Sequence, residues 1–322
     1  MTQISGLMLG LFALLIAGSP AAQTTYPEKP IRMVVGFPPG SQADTVARLL
    51  GQRLAESLGQ PVLVDNASGA AGNLAADRVA KAAPDGYTLG LLSNAQLAVN
   101  PCLYTLAFDP VKDFAPVSQV TVSPYILVVH NAVPAKNVQE LIKLARARPG
   151  ELTFASSGSG TEGHLTGELL KSVAGLDIRH IPYKGIPAAI PDLLGGRVTM
   201  MFSPTVVVVP LAREGKLRAL AVTSLSRLSA VPDLPTIAES GYPGFEVTGW
   251  QGLLAPAGTP AMIVGKLHLE TVKVLALPDL RAKLADLGLE GIGNSPEEFA
   301  AVILIEIPKW AKVIKESGIK PD

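Results

Sequence analysis

The sequence predicts an α/β protein of two lobes, each a mainly parallel sheet flanked by helices, with a ligand cleft between them. Three observations carry this expectation. Short apolar runs alternate with amphipathic helical stripes along nearly the whole chain. The β-α-β order restarts once, at Tyr125. Finally, one design occurs twice, in IRMVVGFPPGSQADTVARLL (Ile31 to Leu50) and in LTFASSGSGTEGHLTGELL (Leu152 to Leu170): an apolar strand, a glycine- and serine-bearing turn, then a helix.

In order, Ile31–Val35 is a continuous apolar run and reads as a buried strand. Val46, Leu50, Leu54 and Leu58 recur every four residues, so a helix with one apolar face follows. Pro61–Val64 reads as a strand, Ala70–Ala83 as a helix ending at the Pro84-Asp85-Gly86 turn, and Tyr87–Leu92 as a strand. This order implies a parallel sheet covered by helices.

The second unit starts with a strand at Tyr125–His130. Asn137 and Glu140 form a capping-box pair that opens a helix running to Pro149-Gly150. Strands are expected at Leu152–Ala155, Ile178–Tyr183, Val198–Phe202 and Leu217–Thr223. Helices are expected at Thr161–Val173, at Pro187–Leu194 and between the last two strands. Thr236 and Glu239 should cap a short helix closed by Gly241, and Val247–Leu254 is the last clear strand. Thr259-Pro260 and Ser295-Pro296 each place a capping residue before a helix-opening proline, and Pro308 should kink or break the final helix. The lobes are expected at 26–122 plus 246–322 and at 123–245, with crossings near Val120–Ser123 and Phe245–Gly249.

A length of 322 residues suggests about two domains. Hydrophobic residues make up 48% and charged residues 17%, which supplies real cores. Lys+Arg and Asp+Glu are both 27, a balance that argues against a nucleic-acid or anionic-membrane surface. Cys102 stands alone, so no intrachain disulfide forms, and it reads as a small packed hydrophobe. Gly6 to Gly18 is apolar and small, too short for a comfortable membrane span, and Ser19, Ala21 and Ala22 fit a cleavage site. Residues 1–22 therefore read as a secretory signal peptide, although MTQIS lacks the usual Lys or Arg. Secretion without disulfides fits a bacterial periplasm.

The candidate site residues lie where strands meet helices. Phe37-Pro38-Pro39-Gly40-Ser41 is a stiff turn that precedes a helix and aims backbone N–H groups at one spot, a geometry suited to an anion. Asp44 would repel an anion there, unless it serves its own helix. Ser156-Ser157-Gly158-Ser159-Gly160-Thr161 is a denser nest of hydroxyls and glycines. His164 follows one turn later, on the side that could face the cleft. Asn94 and Gln96 are candidate rim donors beyond a strand's carboxyl end, and Ser203 occupies the same kind of place. Gly158, Gly160 and Gly163 also match G-x-G-x-x-G, which would suit a dinucleotide-dependent enzyme, but Tyr183-Lys184 stands where the ribose-binding acid is expected. There is no HExxH, no GxSxG and no GxxxxGK[ST]; the residues call for no catalytic group, no metal and no cofactor.

Together these segments resemble a known family, the periplasmic solute receptors of tripartite tricarboxylate transporters, also called Bug receptors. The resemblance runs from about Tyr26 to Gly318. It is carried by YPEKPIRMVVGFPPGSQADTVAR, AKAAPDGYTLGLLS, NPCLYTLAFDPVKDFAPVS, LTFASSGSGTEGHLTGELL, HIPYKG, DLLGGRVTMMF, GKLRALAVTS and VPDLPTIAESGYPGFEVTGWQGLLAPAGTP. It implies a two-lobed periplasmic-binding-protein fold (type II-like), a periplasmic location and a small mono- or dicarboxylate between opposing turns at Phe37–Ser41 and Ser156–Thr161. It also implies delivery to membrane permease subunits rather than catalysis. His164 matches the family's histidine. A monomer is expected, and a sensor partner without transport duty is the alternative. The chain departs from the family at Ala67-Ser68-Gly69, where Arg-Pro-Gly is usual, and at Ser203, where many relatives carry an acid. Losing that acid favours a plain carboxylate over an amino acid.

Overall fold

The computed structural model describes residues 26–183, 185–228 and 230–319; the expected signal peptide lies outside them, as does Lys184. Strand β1 (Ile31–Val35) pairs in parallel with β2 (Val62–Asn66) and β3 (Thr88–Ser93). Helix α1 (Gln42–Leu58) joins the first two strands and α2 (Asn73–Ala80) precedes the third. A single π-turn at Ala95–Val99 and the short α3 (Asn100–Leu103) lead into β4 (Phe114–His130).

The second half repeats the plan. Helix α4 (Val138–Ala147) precedes β5 (Thr153–Ser156), α5 (Glu162–Ala174) precedes β6 (Arg179–Pro182), and α6 (Ile186–Leu194) precedes β7 (Met200–Pro204). Strands β6, β5 and β7 form the second parallel block. Helix α7 (Thr205–Arg213) and β8 (Leu217–Val222) follow, and β9 (Thr248–Pro256) returns to the first half. Helices α8 (Ala261–Leu275) and α9 (Pro278–Asp286), the two-residue strand β10 (Glu290–Gly291) and α10 (Pro296–Ser317) complete the chain.

One strand ties the halves together. Strand β4 runs antiparallel to β9 from Phe114 to Pro124, then from Tyr125 onward runs antiparallel to β7 and β8. The sheet order is β2-β1-β3-β9-β4-β7-β5-β6, with β8 and β10 also on β4. Each half thus holds a parallel three-strand block joined to antiparallel strands, a mixed sheet where mainly parallel pairing was expected. Helices cover both faces. Ile31, Met33, Leu50, Leu54 and Leu253 share one core, while Val34, Leu92, Trp250 and Phe299 share the core on the opposite side of the same half. Each fully buried Leu or Phe contributes about 1.5–3 kcal/mol. Helix α10 bridges: Phe299 and Ile303 pack in the first half, whereas Trp310, Val313 and Ile314 pack with Leu127 and Phe154 of the second.

Local chemistry accounts for the ends. The α1 cap is Ser41, whose Oγ accepts from Asp44 N at 3.2 Å, and Gly59 closes the helix in the left-handed region at φ 71°. Ser295 and Glu298 form a complete capping box on α10.

Several expectations need correction. Helix α2 starts at Asn73, not Ala70, because Ala70 and Ala71 adopt φ of 48° and 54° and Gly72 86°, which no right-handed helix can include. Pro308 does not end α10, which runs from Pro296 to Ser317 with Pro308 inside it; the carbonyl that loses a donor belongs to Leu304, an exposed residue. Thr236 and Glu239 do cap each other, but they support only a hydrogen-bonded turn, since Thr236 is engaged in a bridge to Val222. Thr259 does not cap α8; its Oγ1 donates to Pro256 O at 2.8 Å and Pro260 precedes the first helical residue.

Candidate ligand-binding site

Both repeated turns lead into helices, and both are built alike. In the first, the third residue of α1, Asp44, accepts from Gly40 N at 2.9 Å across the capping Ser41. In the second, the third residue of α5, His164, accepts at Nδ1 from Gly160 N at 3.0 Å across Thr161. Glycine serves both turns because Gly40 and Gly160 lie at φ 81° and 74°.

Asp44 is buried in a fixed network. Its carboxylate also accepts from Asn66 Nδ2 at 3.0 Å, from Arg48 Nε at 3.0 Å and from a second Arg48 nitrogen at 2.8 Å. The Arg48 hydrogen bond is the main reason its pKa falls to about 2, against the opposing cost of burial. Asn66 Nδ2 also donates to Phe37 O at 2.9 Å, so the turn is held at both ends.

The second turn rests on stacked imidazoles. His164 and His180 lie 3.7 Å apart with ring planes at 11°, and Phe154 sits 4.9 Å from His180. Burial lowers both histidine pKa values to about 4, which keeps Nδ1 of His164 free to accept. Ser156 Oγ donates to Gly158 O at 2.9 Å and lies 2.6 Å from His180 Nε2. Thr161 Oγ1 donates to Gly158 O at 2.7 Å rather than capping, so no side chain caps α5. Its first N–H groups are thereby left for another acceptor.

Both turns border one cavity of about 500 Å³. Of the residues singled out from sequence, Phe37, Ser41, Asn94, Ser157, Ser159, Gly160 and Thr161 line it. The exposed Pro38, Pro39 and Gly40 are not in its wall. Ser156 and Gly158 stand behind the second turn, and His164 supports that turn from underneath. Gln96 is fully buried as a wedge between Gly36 and Gly72, with Oε1 accepting from Ser93 N at 2.7 Å. Ser203 is fully buried on β7, one residue before the lining Pro204.

Other lining residues escaped the sequence reading: Gln42, Thr121, Tyr125, Glu162, Trp250 and Gln251. Gln42 and Glu162 are the first residues of α1 and α5, so the repeat itself was the signal for them. Among the described residues, no Lys, Arg or His lines the cavity. Tyr125 Oη donates to Glu162 Oε2 at 2.6 Å. Burial raises the Glu162 pKa, Tyr125 and the nearby Asn94 amide partly offset this, and Glu306 adds to it. The G-x-G-x-x-G match is structural: a Cβ at Gly163 would come within 2.9 Å of Phe202 O. Among the described residues there is no cluster of three metal-ligating side chains, and no helix is long and apolar enough to cross a membrane.

The model of the tripartite tricarboxylate transporter family receptors matches residues 46–319. Protein BugT of Bordetella pertussis is 39% identical over 304 residues, covering 94% of this chain and 93% of BugT. Among solved structures, an R. palustris protein with adipate is 39% identical with TM-score 0.74, covering 92% of this chain and 100% of that one. MatC from Rhodopseudomonas palustris with bound malate is 36% identical with TM-score 0.70, covering 90% and 100%. The chain belongs to the tripartite tricarboxylate transporter receptor family, whose members are periplasmic solute-binding receptors rather than enzymes.

Proposed function

We propose that this receptor binds a small mono- or dicarboxylate in the cavity and delivers it to the membrane permease subunits of a tripartite tricarboxylate transporter. The observation that supports this reading is the pair of glycine turns, each heading a long helix, on one cavity without basic side chains among the described residues. A carboxylate leaving water must have its hydration replaced. Backbone N–H groups of the first turns of α1 and α5, the hydroxyls of Ser41, Ser157, Ser159 and Thr161, and the Asn94 amide are the donors at hand. Charge-assisted hydrogen bonds contribute ~1.5–3 kcal/mol each. A helix end adds ~0.3–2 kcal/mol. A few of each, less ordering costs, reach the roughly −8 kcal/mol of micromolar binding. Adipate and malate in the two related structures are carboxylates of this size.

In this reading the lobes are 26–122 plus 246–322 and 123–245, they close about the β4 and β9 crossings, the working unit is a monomer, and residues 1–22 are a leader removed on export. Thermal shift and calorimetry of the mature protein with a panel of mono- and dicarboxylates of three to eight carbons test it. A raised melting temperature and micromolar heats with at least one acid are expected. No response to any acid overturns it. Loss of uptake on deletion of the gene distinguishes transport duty from a sensor role.

A further inference from the structure

Among the described residues, the cavity wall carries one acid and no base. Glu162 makes no ion pair among the described residues; the Asn94 amide bears on it, and the Tyr125 hydroxyl donates to its Oε2 at 2.6 Å. Its other oxygen lies against the backbone of Gly249, where a Cβ would come within 2.9 Å; the pocket for this carboxyl exists because residue 249 has no side chain. Two amides on the same cavity have oxygens without donors. Asn94 is 0% exposed, and neither its Oδ1 nor its Nδ2 has a close hydrogen-bond partner; Gln251 is 7% exposed, and its Oε1 has no partner either. Both side chains line the cavity with Glu162. At the equivalent position of the first helix stands the neutral, exposed Gln42. The cavity is thus polarised: an amide-lined neutral mouth at α1 and, at α5, one acid without an ion pair among the described residues, with two amide oxygens that lack donors on the same wall.

A plain dicarboxylate would place two more negative charges beside this acid, with no cation among the described wall residues to relieve them. An ammonium group would supply the missing charge and three donors for the three acceptors. We propose that Glu162, with Asn94 Oδ1 and Gln251 Oε1, forms a subsite for an ammonium group, so that the preferred ligand is an amino-substituted carboxylate. The inference rests on the cavity being the carboxylate site. It reverses the expectation drawn from Ser203, because the acid enters from α5 rather than from the end of β7.

Calorimetry at pH 7.5 compares matched acids that differ in one substituent: succinate, malate and aspartate; glutarate, 2-hydroxyglutarate and glutamate; adipate and 2-aminoadipate. The amino member of at least one set should bind tenfold or more tighter than its unsubstituted partner. Glu162→Gln keeps the shape and the Tyr125 contact; it should weaken the amino member at least tenfold and tighten the unsubstituted one. Gln251→Met should weaken the amino member about threefold. Unsubstituted acids that bind as tightly as amino acids overturn the ammonium subsite while leaving the carboxylate site standing. So does an amino-acid affinity indifferent to Glu162→Gln, or uptake of one proton when an unsubstituted acid binds. If none of the eight acids binds, the reading of the cavity falls and takes this inference with it.

Discussion

Asp44 is an acid beside the turn proposed to hold a carboxylate, and its role can be measured. In Asp44→Asn the shape is kept and the charge is removed. The folded carboxyl titrates at about 2 against an ordinary 3.8, held down chiefly by the Arg48 hydrogen bond. That difference is worth ~2.4 kcal/mol at 1.36 kcal/mol per unit. The carboxylate is nearly closed to water, but the Arg48 side chain is 55% exposed, so screening reduces the figure. We therefore expect a loss of about 1–2 kcal/mol at pH 7, or roughly 2–6 °C in melting temperature for a chain of this size. A double-mutant cycle with Arg48→Gln, followed by denaturant unfolding without ligand, should return most of this as coupling. The pH dependence has a fixed sign. The folded pKa is depressed, so the stabilisation is complete above the unfolded value of 3.8 and is lost as pH falls toward about 2. Coupling indistinguishable from zero at pH 7 would refute the network as the holder of the turn. A gap between wild type and Asp44→Asn that persists unchanged at pH 2.5 would refute the electrostatic account.

Gly40→Val and Gly160→Val should each abolish ligand binding by calorimetry while leaving the circular dichroism spectrum native. No atom lies within 4 Å of a Cβ at Gly40 and only Leu103 Cδ1, at 3.8 Å, at Gly160, so the cost is the positive φ, about 1–2 kcal/mol, and not a clash. The His164 and His180 rings, neutral when folded with pKa values of about 4, should make stability fall as pH drops from 6.5 toward 4, by on the order of 1–3 kcal/mol together. The unfolded chain binds these protons first; a double His164→Gln, His180→Gln variant should flatten that limb of the denaturation profile.

Elements fixed by neighbours in sequence were legible, and those fixed by distant partners were not. Helix α1 announces itself through Ser41, its four-residue apolar stripe and Gly59, and α10 through Ser295 and Glu298; these are contacts within a turn or two of chain. The first half of β4 was missed because Pro116, Pro124 and the buried polar residues Ser118, Gln119, Thr121 and Ser123 break any strand pattern. What satisfies several of them is remote: Ser118 Oγ donates to Asn294 O at 2.8 Å, and Gln119 N donates to Asn294 Oδ1 at 2.8 Å. Gln96 looked like a rim donor, since no local signal shows that Gly36 and Gly72 leave a slot for its amide. An acid at the first position of a helix looks like an ordinary partner of the helix dipole. Only Gly249, on another strand, turns Glu162 into part of a binding wall.

The two turns also differ in a way that isolates the charge of the site. At the first, the group accepting the glycine N–H is an anion, but Arg48 neutralises it. At the second, the accepting group is an imidazole that burial keeps neutral. Both supports therefore carry no net charge near neutral pH, and neither brings a cation to the cavity. Under the proposed function, anion preference at the mouths comes from the direction of N–H groups and helix dipoles, which do not titrate. Glu162 is the one charged side chain among the described wall residues. Burial holds the Glu162 carboxyl above its ordinary range, so a pH dependence of ligand affinity is assigned either to this side chain or to the ligand's own groups. A Glu162→Gln variant that loses the pH dependence of affinity, yet keeps the wild-type dependence of stability, would separate the group that chooses the ligand from the groups that shape the turns. A variant that keeps the affinity profile would return the titration to the ligand itself.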